Sequence, residues 1–378
     1  MKNIPVFKPS IGEEEISLLR EVFNSGWIGL GPKTEEFEKL FAKYTGAQHA
    51  IALNSCTAAL HLAMLAHDIK NGDEVITTPI TFASDAEAIL YVGATPVFAD
   101  VQYGTLNIDP KDIERKITNK TKALLIVHYG GHPCDMDEIE TIAKKHNLVI
   151  IEDASHACGS EYMGQKIGGS KNTTCFSFHA VKNLATGDGG MITTHDLDLN
   201  HRKRRLRWMG ISKDTHLRAK GGYQWDYDVT EQGFKYHMND INAAIGIIQL
   251  KKLDMMNQKR EEIALRYNKS FSELKDQIDL SEIKPNVKSA RHNYVVKIKK
   301  KDREELIKFL QEKGISAGVH YKPLYLHPHY SKYNKNNTPV ADSVWRQIVT
   351  LPLYPDMTDE DMKRVINSVR EFLTASGK

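Results

Sequence analysis

The sequence predicts an α/β protein with a large, mostly parallel sheet, followed by a smaller α+β domain. Through two thirds of the chain, short β-branched runs alternate with helical patterns, and that spacing requires crossover connections between parallel strands. The runs are nearly all apolar, as expected for strands that are covered on both faces of a sheet. From residue 240 the pattern changes to one long helix followed by shorter, mixed elements.

The elements follow in order along the chain. The first part has predicted strands at 50–53, 74–78, 96–99, 123–127 and 148–151, and predicted helices at 57–67, 82–92, 110–116 and 135–147. The second part has a helix at 240–274, a strand at 293–298, a helix at 303–313, a strand at 315–320 and a helix at 359–375. We predict a large domain over residues 1–250 and a small one over 251–378, with the segment 1–12 free to pack elsewhere.

Composition excludes several classes of protein. The 378 residues carry 51 Lys and Arg against 48 Asp and Glu, a net charge of +3, which argues against a dedicated nucleic-acid binder. No apolar run approaches the roughly 20 residues of a membrane span, and we expect no signal peptide. The four cysteines lie far apart without a C-x-x-C pair, which argues against a metal site or disulfides and fits a reducing cytoplasm.

An acid and a lysine stand out as candidates for chemistry. In parallel sheets ligands bind beyond the carboxyl ends of strands, and Asp153 lies just past such an end. A helix N-cap or an acid in a loop is the alternative interpretation of Asp153. Lys182 lies between an apolar–polar alternation and a glycine-rich turn, and a desolvated lysine forms Schiff bases. A solvated surface charge is the alternative there.

Two further segments follow predicted strands. Ser55, Cys56 and Thr57 open a helix, whose free backbone N–H groups would suit a phosphate. Simple capping by Ser55 or Thr57 explains the same residues. Phe82 places an aromatic ring at the same edge of the sheet, where the default interpretation is a core residue.

Together, in this order, these segments resemble the DegT/DnrJ family of pyridoxal-phosphate (PLP) nucleotide-sugar aminotransferases. The resemblance spans nearly the whole chain, and its most specific part runs from Ser177 to Gly190. Segments 127–131 and 233–236 look closest to the branch that makes 4-amino-4-deoxyarabinose. The matching segments are 25–28, 31–32, 55–62, 72–76, 93–97, 152–157, 176–179 with Lys182, 189–190, 320–321 and 351–355.

The resemblance implies PLP fold type I and a role for each matching residue. Lys182 matches the Schiff-base lysine, which also shuttles a proton, and Asp153 matches the acid that pairs with the pyridine nitrogen. Phe82 matches the aromatic that stacks on the cofactor ring, and His156 lies beside that ring. The phosphate cup is matched by Ser55, Cys56, Thr57 and Ser177.

The resemblance also implies a homodimer with shared active sites. Lys235 stands where many relatives have an asparagine that reaches the neighbouring subunit's cofactor phosphate. Cys56, Met209 and Tyr325 also depart from the commonest residues of the family. The residues expected to bind substrate are Trp27, Ile28, His320 and Tyr321.

The expected activity is transfer of an amino group, with glutamate as the expected donor, to a nucleotide-linked keto-deoxysugar for surface polysaccharide. The expected acceptor is C4 of a hexose. A sub-branch that dehydrates sugars replaces the lysine with histidine, so the retained Lys182 favours transamination over a dehydratase or deoxygenase. A non-catalytic regulatory or binding relative is the other alternative. We expect neither nucleic acid nor a membrane as a partner.

Overall fold

The computed structural model describes residues 3–212, 226–333 and 337–375. Its main sheet has seven strands in the order β1-β9-β8-β5-β4-β2-β3, and only β9 runs antiparallel to its neighbours. This confirms the predicted large, mostly parallel sheet. The strands are β1 His49–Leu53, β2 Glu74–Thr77, β3 Thr95–Phe98, β4 Thr121–Val127, β5 Val149–Asp153, β8 Thr173–Ser177 and β9 Gly190–Thr194.

Two three-stranded sheets accompany the main one. The order in one is β10-β12-β13, and in the other β11-β6-β7. Their strands are β6 Glu161–Tyr162, β7 Gln165–Lys166, β10 Ile278–Leu280, β11 Val287–Lys288, β12 Tyr294–Ile298 and β13 Ile348–Leu351.

Helices cover both faces of the main sheet and flank the smaller one. Several start at residues that favour helix termini: Pro32 occupies the first turn of α2, and Thr358 forms a capping box before α11. No helix in the described ranges is long and apolar enough to cross a membrane. The helices are α1 Glu13–Ser25, α2 Pro32–Thr45, α3 Cys56–Ala66, α4 Ala83–Tyr91, α5 Pro110–Lys116, α6 Met136–His146, α7 Leu197–Leu206, α8 Asp240–Phe271, α9 Arg303–Glu312, α10 Pro339–Val344 and α11 Asp359–Thr374.

Helix α8 belongs to two hydrophobic cores. Its first turns pack Ala243 and Ile247 against the main sheet, and its last turns pack Tyr267 and Phe271 against the sheet that contains β12. The chain's beginning joins the second core, because Ile4 is buried there and its amide donates to the carbonyl of Gly314 at 2.9 Å. The domain boundary at residue 250 stays a prediction.

One predicted element is wrong. The segment 315–320 was expected to form a strand, but it makes only single bridges, from Ile315 to Ile4 and from Gly318 to Thr350. Ile4 and Thr350 belong to different segments of the chain, so no continuous ladder forms along residues 315–320. It is instead an irregular connection that carries His320 toward the main sheet.

Candidate active site

The carboxyl edge of the main sheet gathers residues from distant parts of the chain. Gly190 pairs with Leu53 on one side and with Ser177 on the other, so the ends of β1 and β8 lie in one row. Asp153 ends β5 and pairs with Cys175, two residues before Ser177. The candidates at 55, 153 and 177 therefore meet at this edge.

Lys182 lies on a loop between β8 and β9 that several hydrogen bonds hold in place. The amide of Phe178 donates to Gly189 at 2.9 Å, and the amide of Thr186 donates to Phe178 at 2.8 Å. From α8, the side-chain amide of Asn242 donates to the carbonyl of Thr186 at 2.7 Å. These bonds fix the loop and hold Lys182 at the sheet edge.

The Lys182 amine is half-buried, which changes its chemistry. Loss of hydration lowers the pKa of Lys182 to about 8, although the negative charge of Asp153 acts in the opposite direction. Within the described ranges the amine has no hydrogen-bond acceptor. Such a lysine supplies a neutral nucleophile near physiological pH, which a solvated surface lysine does not.

Asp153 is buried beside two neighbours that fix its position. The amide of Ser155 donates to Oδ1 at 2.8 Å, and the thiol of Cys56 lies 3.8 Å from the same oxygen. Asp153 does not cap a helix, because the next helix along the chain begins at Leu197. Its carboxylate instead faces the space beside Lys182, whose pKa it influences.

The turn at the start of α3 is close-packed against β9. Ser55 is the N-cap, and its hydroxyl accepts from the amide of Ala58 at 3.1 Å. A Cβ built on Gly190 would lie 2.7 Å from the amide nitrogen of Cys56, so only glycine fits beneath the turn. The amides of Cys56 and Thr57, at the start of α3, have no acceptor within the helix and remain available to an anion. Capping and phosphate binding are thus compatible.

His156 lies in a buried stack of rings. The amide of Gly130 donates to its Nδ1 at 3.3 Å, which assigns the proton to Nε2, 3.3 Å from the hydroxyl of Tyr321. Burial and the nearby Lys182 lower the pKa of His156 well below its ordinary value. His292 stacks on it at 4.4 Å, so His156 is held as a neutral donor.

Phe82 and His320 border the same space. Phe82 is 62% exposed, so the core interpretation is wrong, and its ring lies 6.3 Å from that of Tyr321. The Nδ1 of His320 lies 2.9 Å from the hydroxyl of Thr350, and burial lowers the pKa of His320 to about 4. The segment 320–321 thereby reaches the Lys182 group from the smaller sheet.

The other predicted residues lie farther out. The indole of Trp27 donates to the carbonyl of Leu30 at 3.0 Å, and Ile28 is 50% exposed in the same turn. This turn meets the Lys182 loop through the start of α8, where the amide of Asp240 donates to Gly29 at 2.8 Å.

Lys235 and two departures from the family pattern occupy surface or structural positions. The Lys235 side chain is exposed, and its amine lies 3.5 Å from the ring centroid of Trp208. Met209 is 49% exposed nearby. Tyr325 is buried, and its hydroxyl donates to Asp342 at 2.7 Å, which makes it part of the packing below β3.

Three residues of the site were not predicted from the sequence. Asp85, in the first turn of α4, is fully buried beside Asp153. His292 stacks on His156, and Asn183 accepts from the Nδ1 of His292 at 3.0 Å. Asp85 follows a predicted strand, so the strand-end rule could have found it, but His292 precedes β12 with no pattern to mark it.

The comparisons with known proteins point to one class. Residues 9–370 match the DegT/DnrJ/EryC1/StrS aminotransferase family. The spore coat polysaccharide biosynthesis protein SpsC of Bacillus subtilis is 44% identical, over 98% of this chain and 97% of its own. DesV of S. venezuelae, solved with a ketimine intermediate, superimposes with a TM-score of 0.92 at 33% identity and covers 100% of both chains. Spr1654 of Streptococcus pneumoniae, solved in its PLP form, gives a TM-score of 0.90 at 33% identity over 97% of both chains.

The fold, the lysine facing an acid, and these comparisons define a PLP-dependent aminotransferase. The chain belongs to the DegT/DnrJ/EryC1/StrS aminotransferase family.

Proposed function

We propose that this enzyme moves an amino group from glutamate, through PLP held at Lys182, to the keto group of a nucleotide-linked deoxysugar. The acceptor we favour is C4 of a hexose. The observation that carries the proposal is a half-buried lysine with a pKa near 8 at the carboxyl edge of the sheet, beside the buried Asp153. The residues around it fit PLP, because they supply an amine, an acid and a helix N-terminus.

PLP, when bound, acts as an electron sink that stabilises negative charge on the substrate's α-carbon. Lys182 accepts and returns the proton at that carbon, a task its lowered pKa suits. Asp153 keeps the ring nitrogen protonated through its negative charge. His156 donates from Nε2 to the hydroxyl of Tyr321, and Phe82 would stack on one face of the PLP ring.

The phosphate of PLP would occupy the turn at the start of α3. The amides of Cys56 and Thr57 and the hydroxyls at this edge would donate to an anion, and the helix dipole favours negative charge there. The residues proposed to hold the phosphate are Ser55, Cys56, Thr57 and Ser177.

The sugar acceptor is supported by the names of the similar proteins. SpsC is a spore coat polysaccharide biosynthesis protein, and the family that this chain belongs to consists of aminotransferases. We therefore propose a role in making a surface polysaccharide such as lipopolysaccharide O-antigen, with Trp27, Ile28, His320 and Tyr321 on the sugar side. The four described cysteines are free and buried, which supports a reducing cytoplasm.

We also propose a homodimer whose active sites are shared. Phe82 is 62% exposed although it borders the site, so its ring is open both to the cofactor and to a second subunit. Lys235 is also exposed, and its backbone lies beside the end of β1, because the side-chain amide of Asn54 donates to its carbonyl at 3.4 Å. A second subunit would cover the ring and receive the lysine at its phosphate turn.

The test is turnover with defined substrates. With glutamate alone the protein should lose its yellow colour and release 2-oxoglutarate, and with a panel of keto-sugar nucleotides mass spectrometry should detect an aminosugar. Lys182→Ala should do neither, whereas the exposed Lys120→Ala should match the wild type. A dehydrated sugar without 2-oxoglutarate would favour the dehydratase, and a colourless, PLP-free protein would favour a binding role. If only another amino acid reacted, the glutamate assignment would fail.

A further inference from the structure

Asp85 carries a buried carboxyl group that has no role in the proposed reaction. It lies in the first turn of α4, its side chain is fully buried, and the hydroxyl of Thr81 donates to its Oδ2. Its other oxygen, Oδ1, has no donor anywhere in the part of the chain that the structure describes. A buried carboxylate with an unsatisfied oxygen is costly, so its state needs an explanation.

The neighbour of Asp85 supplies that explanation. Its carboxyl group is within hydrogen-bonding reach of Asp153, which also lies at the sheet edge. Two ionised carboxylates in contact repel each other, so one of such a pair normally holds a proton. Burial and then Asp153 raise the pKa of Asp85 well above its ordinary value, while Lys182 opposes this more weakly. A proton on Oδ1 would turn the orphaned acceptor into a donor.

We propose that Asp85 is a neutral carboxylic acid that donates a hydrogen bond from Oδ1 to the carboxylate of Asp153. Asp85 is thus a positioning residue that acts through Asp153. The amide of Ser155 already donates to Asp153, and the second donor fixes the carboxylate in one orientation without neutralising it. The carboxylate keeps its charge and its remaining lone pairs for the pyridine nitrogen, a consequence that rests on the proposed function.

Asparagine and leucine are matched replacements for Asp85. Asparagine reproduces the neutral acid, because its oxygen accepts from Thr81 and its amide donates to Asp153. Leucine keeps the same branched shape, is larger, and has no donor. Glu87→Gln, on the same helix, is the control, because Glu87 is half-buried and accepts from the hydroxyl of Tyr330 at 2.5 Å.

The first measurement is the infrared spectrum of the protein freed of PLP, near neutral pH. The wild type should show the carbonyl stretch of a neutral carboxylic acid, shifted in heavy water. Asp85→Asn should lack this band, and Glu87→Gln should keep it. A wild type without the band, or an Asp85→Asn variant that retains it, would overturn the proposal.

The second measurement is the dissociation constant of PLP, from absorbance titration of the same proteins. Asp85→Asn should bind within about threefold of the wild type, and Asp85→Leu should bind about 10- to 100-fold more weakly, the range for a lost hydrogen bond to a charged group. Equal binding by Asp85→Leu, or weak binding by Asp85→Asn, would refute the positioning role. If Asp85→Leu does not fold, the infrared band and the PLP affinity of Asp85→Asn still test the proposal. If the wild type binds no PLP, the proposed function fails, and the infrared band still tests the state of Asp85.

Discussion

The pKa of Lys182 leads to a prediction that needs no substrate. In the protein freed of PLP, the Lys182 amine should titrate near pH 8 instead of at the ordinary 10.5, because burial disfavours its charged form. At pH 7 a group of pKa 8 is neutral in about one molecule in ten, against about one in 3,000 for an ordinary lysine. The structure therefore predicts a roughly 300-fold larger neutral fraction at Lys182.

Asp153 also influences the pKa of Lys182, which gives a second prediction. Its negative charge stabilises the ammonium form and so raises the pKa of Lys182, against the larger effect of burial. Asp153→Asn removes that charge at nearly constant shape. The titration of Lys182 should therefore move to a pH below 8 in this variant, because the largest effect that opposes burial is removed.

The assay is competitive labelling with an amine-reactive reagent across pH 6 to pH 11, followed by peptide mass spectrometry. The peptide that carries Lys182 should show a rate midpoint near 8, with the exposed Lys120 as the reference in the same sample. Peptide mapping is required because burial also lowers the pKa of Lys203 to about 8. Lys203 is fully buried, so it should label slowly at every pH. A Lys182 midpoint equal to that of Lys120, or an upward movement in Asp153→Asn, would refute the reasoning.

Three further predictions concern the cofactor site. Asp153→Asn should lower turnover at least about 100-fold, the lower end of what one positioned acid–base group contributes, and unchanged turnover with an unaltered cofactor spectrum would contradict its role at the pyridine nitrogen. Gly190→Ala should weaken PLP binding and lower the melting temperature, because its Cβ would lie 2.7 Å from the amide nitrogen of Cys56. If the variant kept the PLP affinity and the melting temperature of the wild type, the turn at Cys56 would be free to move. Lys182→Ala and Lys235→Glu should each be weak or inactive alone, but mixed heterodimers should regain up to about half the activity per dimer if the sites are shared. If mixing restores no activity, Lys235 acts in the site of its own chain. If Lys235→Glu alone is fully active, Lys235 has no cofactor role. A monomeric protein in light scattering would refute the shared site.

The main sheet was predictable where its strands are apolar. Strands β1 to β5 were each found within about two residues, because uninterrupted apolar runs are the signal of a covered strand. Strands β8 and β9 were missed, since they contain hydroxyl residues such as Thr174 and Thr193 whose buried oxygens have no partner within the described ranges. Helix α7 was also missed, because it is largely charged and buries even Lys203.

The site was predictable to the extent that it follows strand ends. Asp153 and Ser55 follow strands whose carboxyl ends share one edge, so topology alone brings them together. His292 enters from an irregular segment before β12, and nothing in its local pattern foretells the stack on His156. Asp85 satisfied the strand-end rule, but an aspartate in a first helical turn is so common that its burial was not suspected.

The central claim is that Lys182 is the residue that holds PLP, and borohydride reduction tests it most directly. The protein loaded with PLP should be yellow, should lose that colour on reduction, and should then carry the cofactor's mass on the peptide that contains Lys182. Lys182→Ala should carry none. A label on any other lysine, or no label on a protein that remains yellow, would contradict the account.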